Sequence, residues 1–280
     1  MVKIVTDSVS DLPREYIEEY DIKVMNLNII FGEKTYKDRV DISPNEVFER
    51  IKNNDEFPKT SQVTPFEFIE TFDELSKDCD EVLAILMSSK MSGTYNSAVI
   101  AKNELADRKI EVIDSKGITL GYGLIVIEAA KMAKQGKSLD EIKKRIECMI
   151  ENIEYLIVFD TLEYAYKGGR ISKSQYLISN FLNIKPIVTM KNGEMVVKDK
   201  VRGRKKVIKW LTDYIKSNNI DIKDKVIGLN HVNDKEYLEK LKTDIINQFN
   251  PKEIIISDVG CTVAAYSGLS AIAIYFEKEA

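Results

Sequence analysis

Apolar residues fall along this chain in two alternating rhythms, short unbroken runs and runs spaced three or four apart, and the exchange between them predicts an α/β protein. KIVTDS, Lys3 to Ser8, reads as a strand ending in polar residues. PREYIEEY follows as a helix with Pro13 in its first turn, and IKVMNLNIIF, Ile22 to Phe31, as an extended segment. In SPNEVFERIKN, Ser43 is the N-cap, Pro44 the first helical residue and Glu46 the partner that completes a capping box. TPFEFIETFDELSKD repeats that pattern after the loop FPKTSQV. EVLAILMS is a buried strand, YNSAVIAKNELA its helix and KIEVIDSK the next strand, and short links between them predict a crossover in a parallel sheet. YGLIVIEAAKMAKQG and SLDEIKKRIECMIENI are expected to be two long amphipathic helices, the first stopped by Gly136.

From EYLIVFD onward the pattern changes. IKPIVTMKNGEMVVKDKVRG reads as two strands joined at Asn192-Gly193, a strong hairpin signal, so this antiparallel piece belongs to a second sheet. Helix RKKVIKWLTDYIKSN, strand KVIGLNHV, helix KEYLEKLKTDIINQF, strand EIIISDV and terminal strand SAIAIYFE complete it. The reading therefore divides the chain into domains 1–153 and 154–280, with the crevice between them as the default ligand site.

Composition narrows the functional classes. At 280 residues, 44% hydrophobic and 31% charged, the chain has a globular balance, long enough for two cores, and nothing in it suggests a membrane span. Lys and Arg (41) nearly match Asp and Glu (45), so no excess of positive charge points to nucleic acid. MVKIVTDSVSDL lacks the signal-peptide pattern, which predicts a cytoplasmic protein. Cys79, Cys148 and Cys261 have none of the spacings of a zinc site or redox dithiol and are read as reduced structural thiols.

Hydroxyl groups cluster after the strands: Thr6 to Ser8, Thr60 and Ser61, Ser88 to Thr94, and Asp114 to Gly117. In a parallel sheet all strand C-termini lie on one edge, so these four loops are expected to converge there. Each could simply cap a helix. Together they could form an anion site, with Gly93 allowing close approach, Ser92 and Thr94 as neutral donors and the following helix start attracting a carboxylate or phosphate. Catalytic readings fare worse. His231 is the sole histidine and is expected in a structural or helix-adjacent role; no G-x-S-x-G or S-x-x-K sequence occurs. QGKS at 135–138 follows a helix and has Lys131 where a phosphate loop needs its first glycine. No cluster of metal-ligating residues is visible, so neither a metal nor a cofactor is expected. YKGGRIS suggests a tight turn aiming Arg170 at an anion or at a structural carboxylate. Lys200 to Lys209 carries six basic residues in ten, either a solvated helix face or a docking patch for an acidic partner or a nucleotide held by one.

Taken together, VTDSVSDLP, KTSQVTP, SSKMSGTYNSA, VIDSK and YKGGRIS resemble, in order and spacing over the whole chain, the DegV family of bacterial fatty-acid-binding proteins. The resemblance implies a parallel-sheet N-terminal α/β domain and a C-terminal α/β domain with a mixed or largely antiparallel sheet, and a long-chain fatty acid buried between them. It implies that Thr60, with Ser61 beside it, and Ser92 receive the carboxylate, that Gly93 lends its amide, and that Arg170 joins the polar network. Members that serve fatty acid kinases present the carboxylate to a separate ATP-binding subunit, so the chain itself needs no catalytic group; Arg202, Arg204 and Lys205 are the candidates for docking that subunit. Those members commonly carry a histidine followed by Gly-Pro-Gly near the end of the chain. Here Tyr266 and SGLS stand in that segment. A phenol keeps the imidazole's hydrogen bond but not its proton chemistry. Two rival readings remain: an acyl hydrolase or transferase using Ser92, and a lipid-sensing regulatory module.

Overall fold

The computed structural model describes residues 1–53, 57–77, 81–179 and 182–278. Val2–Asp7 (β1) lies at the centre of a four-stranded sheet between Lys23–Met25 (β2) and Glu81–Leu86 (β6), with Ile110–Asp114 (β7) at the far edge, and every pairing is parallel. Thr94–Glu104 (α4) makes the expected crossover between β6 and β7. The extended segment at Ile22 to Phe31 divides at Asn26 and Leu27: its first half is β2, whereas Asn28–Phe31 (β3) pairs antiparallel with Lys34–Lys37 (β4) and Lys59–Ser61 (β5) in a separate three-stranded sheet. Thr60 and Ser61 therefore lie inside an antiparallel strand. They do not follow a parallel one, and only the loops after β1, β6 and β7 share the parallel-sheet edge.

Pro44–Lys52 (α2) and Pro65–Leu75 (α3) begin with complete capping boxes, Ser43 with Glu46 and Thr64 with Glu67, as their sequences predict. Arg14–Glu19 (α1) starts one residue later than expected, with Pro13 as its cap. Thr119–Lys134 (α5) is not amphipathic: 12 of its 16 residues are buried. It packs against β1 on one side and against strands of the second sheet on another, so only its last turns, at Glu128, Lys131 and Lys134, reach solvent. Two glycines allow this closeness, and at Gly123 a Cβ would lie 2.4 Å from the Ser10 carbonyl oxygen. Leu139–Asn152 (α6) keeps a polar face and ends where the second sheet begins.

That sheet has six strands in the order β10-β9-β8-β13-β11-β12: Glu194–Arg202, Ile184–Lys191, Ile153–Phe159, Ala271–Glu277, Val226–Val232 and Glu253–Asp258. Only β11 and β12 pair in parallel, so the sheet is mixed, and β9 and β10 form the hairpin through Asn192 and Gly193. Side-chain alternation gives this sheet two cores. On β8, Tyr155, Ile157 and Phe159 join the large core shared with α5 and the parallel sheet, while Leu156 and Val158 face the core under Val207–Ser217 (α9) and Lys235–Phe249 (α10). The molecule is thus an α/β protein with a parallel sheet in its N-terminal part and a mixed sheet in its C-terminal part.

The basic run is not one helix face. Arg202 ends β10, Arg204–Lys206 forms a single 3-10 turn, and α9 starts only at Val207. Cys148 is exposed and Cys261 buried, both as free thiols; Cys79 lies outside the described residues. Among the described residues no helix is long and apolar enough to cross a membrane.

Candidate functional site

The crevice between the two larger sheets holds an apolar pocket enclosing about 760 Å³, its open mouth included. Its walls come from both halves of the chain: Val9, Met87, Met91 and Ile118 from loops of the parallel sheet, Ile157 and Phe159 from β8, and residues of β11, β13 and Cys261–Ser267 (α11). The long buried runs that build both sheets thus also make a surface that repels water.

Thr60, Ser92, Arg170 and Tyr266 are among the polar side chains on this wall. Thr60 and Tyr266, 206 residues apart, are joined hydroxyl to hydroxyl at 2.7 Å. The Arg170 guanidinium lies 4.6 Å above the Tyr266 ring, and its Nη1 donates to the Gly168 carbonyl oxygen. Gly168 is small for a reason, since a Cβ there would meet the Tyr266 ring at 2.4 Å. Phe57 supports the same ring at a centroid distance of 6.4 Å. The Ser92 hydroxyl accepts from the Thr94 backbone N–H at 3.2 Å and shares a 3.0 Å hydrogen bond with the Thr94 hydroxyl.

The other predicted residues stand behind this wall. Successive strand residues face opposite ways, and while Thr60 faces the pocket, Ser61 Oγ accepts from Asn28 Nδ2 at 3.1 Å. Thr94 is fully buried and serves Ser92. Gly93 has ordinary helical backbone angles, and a Cβ on it would strike the Gln62 side chain, itself tied to Ser97 Oγ at 2.8 Å. Its missing side chain therefore makes room for a protein neighbour. Away from the pocket wall, Arg204 is committed internally: it pairs with Asp234, reaches Ser270 Oγ at 3.4 Å and stacks 4.5 Å over Tyr237. Arg202 and Lys205 are exposed.

Residues that the sequence did not mark also line the pocket. His231 does, while its Nδ1 accepts from the Asp234 N–H at 3.2 Å and its Nε2 faces Asp258 Oδ1 at 3.0 Å. Burial holds its pKa below the usual imidazole value, with Asp258 opposing that shift. Both ring nitrogens are engaged away from Ser92, so His231 is not arranged as its base. Asp7, Asp11 and Asp38 form an acidic layer just behind. Asp7 accepts from the Met87 and Val9 N–H groups at 2.8 and 3.0 Å and from Tyr122 Oη at 2.7 Å, yet burial pushes it up to about 6. Asp11, with one buried oxygen unpartnered among the described residues, is pushed up to about 7 by burial, against the pull of Arg39. Their motif, TDSVSD, was visible in the sequence as hydroxyls, but nothing there revealed that its carboxylates are buried.

The site as built sets hydroxyl groups and one guanidinium on the wall of a largely apolar space, and no base is hydrogen-bonded to Ser92 among the described residues. The fold and site define a two-domain α/β protein whose halves enclose an apolar pocket. The sequence pattern described as "Uncharacterised protein, DegV family" matches residues 1–279, and the chain belongs to that family. A DegV domain-containing protein of Caldanaerobacter subterraneus subsp. tengcongensis is 42% identical over 278 residues, covering 99% of both chains. Two solved structures are similar over 99% of both chains: a DegV family protein from Thermus thermophilus, described by its fatty acid binding, with a TM-score of 0.91 at 27% identity, and DegV from Bacillus subtilis, described as a fatty acid binding protein, with a TM-score of 0.89 at 28% identity.

Proposed function

We propose that this protein binds one long-chain fatty acid, with the carboxylate at Thr60, Ser92, Arg170 and Tyr266 and the chain along the apolar walls, and that it presents the carboxylate to a separate ATP-binding kinase subunit for acyl-phosphate formation. The observation that carries the binding half is the pocket itself, whose walls are mostly apolar and which Thr60 and Tyr266, joined to each other, also line. The fatty acid binding described for the Thermus thermophilus and Bacillus subtilis relatives supports it. Each buried methylene contributes about 0.8 kcal/mol, so a fully enclosed tail supplies ample affinity without a buried ion pair. The kinase half rests on the Ser92 hydroxyl being paired with Thr94, with no base hydrogen-bonded to it among the described residues, and on the exposed cations Arg202 and Lys205 as a docking surface. Arg204 contributes there by holding the turn, through Asp234 and Tyr237.

Mass spectrometry of an organic extract from protein purified without added lipid tests the first half. One equivalent of a long-chain fatty acid is the expected result; an empty extract together with no uptake of offered fatty acids would end the carrier reading. Acyl-phosphate formation on adding a kinase subunit and ATP tests the second half. Hydrolysis of an acyl ester by the protein alone, abolished by Ser92→Ala, would favour an enzyme instead.

A further inference from the structure

α11 carries four pocket-lining residues, Thr262, Val263, Tyr266 and Ser267, on one face of seven residues. So short a helix has little stability of its own, and its cap residue Gly260 provides no side chain to hold its first amides. Those amides are taken up by carboxylates more than 200 positions away in the sequence. The Gly260 N–H donates to Asp11 Oδ1 at 2.6 Å. The Cys261 N–H donates to Asp38 Oδ1 at 2.8 Å, and Thr262 gives both its N–H and its hydroxyl to Asp38 Oδ2 at 3.1 and 2.7 Å. Ser8 Oγ donates to the same oxygen at 3.1 Å, so every contact on Asp38 is a donor. The backbone of Asp38 is itself pinned, donating to the Leu27 carbonyl at 2.8 Å and accepting from Asn26 Nδ2 at 2.8 Å. Asp38 is fully buried and lines no part of the pocket. The hydrogen bonds to its carboxylate come from α11 and Ser8, and its charge also acts on Arg39, Asp7 and Asp11 nearby.

We infer that Asp38 is a positioning residue for the carboxylate-binding end: it anchors the first turn of α11 to the N-terminal half and so sets Tyr266 within hydrogen-bonding distance of Thr60. The inference rests on the proposed fatty acid site. A carboxylate is needed there because all its partners donate; an amide would turn an NH₂ group toward at least one of them.

A double-mutant cycle on fatty acid affinity tests the link, using Asp38→Asn, Tyr266→Phe and the pair in a fluorescent-fatty-acid competition assay. Each single variant should weaken binding about tenfold, and the pair should be no weaker than Tyr266→Phe alone, because Asp38 acts through the phenol. A pair weaker by about a hundredfold, the product of the two singles, would mean Asp38 merely supports the fold and would overturn the inference. Should Asp38→Asn not fold, Ser8→Ala removes one donor from the same carboxylate; it should weaken binding in wild type and not in the Tyr266→Phe background, and equal losses in both would be the overturning result. Wild-type protein that takes up no fatty acid would instead remove the proposed function on which this step depends.

Discussion

Thr60 and Tyr266 share one hydrogen bond across two segments of chain that have no local reason to meet. With a ligand carboxylate as acceptor, losing either Thr60 or Ser92 leaves a charged oxygen short of a donor, a loss of about 1–3 kcal/mol. Thr60→Ala and Ser92→Ala should each weaken fatty acid binding by that amount in a competition assay; unchanged affinity in both would remove them from the site. Asp11 makes a prediction about pH. Its native pKa of about 7 lies above the unfolded value of about 3.9, so between those pH values the native state holds the extra proton and stability falls as pH rises through the window. Asp7, pushed up to about 6, acts in the same direction. Asp11→Asn cannot ionise, and denaturant midpoints at pH 5 and pH 8 should show it losing less stability over that interval than wild type. Equal losses would mean that Arg39 stabilises the ionised Asp11 instead.

At the scale of single elements, local chemistry and local sequence agree where the cause is local. The capping boxes at Ser43 and Thr64, the Asn192-Gly193 hairpin and the stop at Gly136 each depend on a few adjacent residues, and all were legible. β5 and α5 were not, because their character comes from distant partners. Lys59–Ser61 is a strand only because β3 pairs with it, and α5, which has no charged residue before Glu128, finds a place for its all-round apolar surface only between the two sheets. Gly123 shows the difference well: its helical backbone needs no glycine, but the Ser10 carbonyl leaves no room for a methyl group. Gly123→Ala should therefore destabilise the protein by about 1–3 kcal/mol, as overpacking does, despite the better helix propensity of alanine. A raised thermal midpoint would contradict the close packing of α5.

For the whole molecule, charge placement separates docking from folding. Arg202 and Lys205 are exposed beside Arg204, which is held by Asp234. Replacing Arg202 and Lys205 together by alanine should leave stability within about 0.5 kcal/mol of wild type. On the proposed function it should also weaken association with the kinase subunit and flatten its salt dependence, while fatty acid uptake stays unchanged. Calorimetric titration of the partner at two salt concentrations would check this, and unchanged association would place the docking surface elsewhere.

β4, β5 and α11 were not visible in it, but by itself the sequence determined most of the alternating strands and helices, the caps at Ser43 and Thr64, the Asn192-Gly193 turn, the antiparallel pairing that begins near Ile153, and the family to which the chain belongs. These follow from spacing and from residues within a few positions of one another. Only the tertiary structure decided that Thr60 faces the pocket while Ser61 does not, that Thr94 supports Ser92, that Arg204 is committed to Asp234, and that His231 lines the pocket. It also brought Asp38 to the start of α11. Each depends on which way a side chain points once sheets from both halves have packed, and on partners up to two hundred residues away, information that local periodicity does not contain.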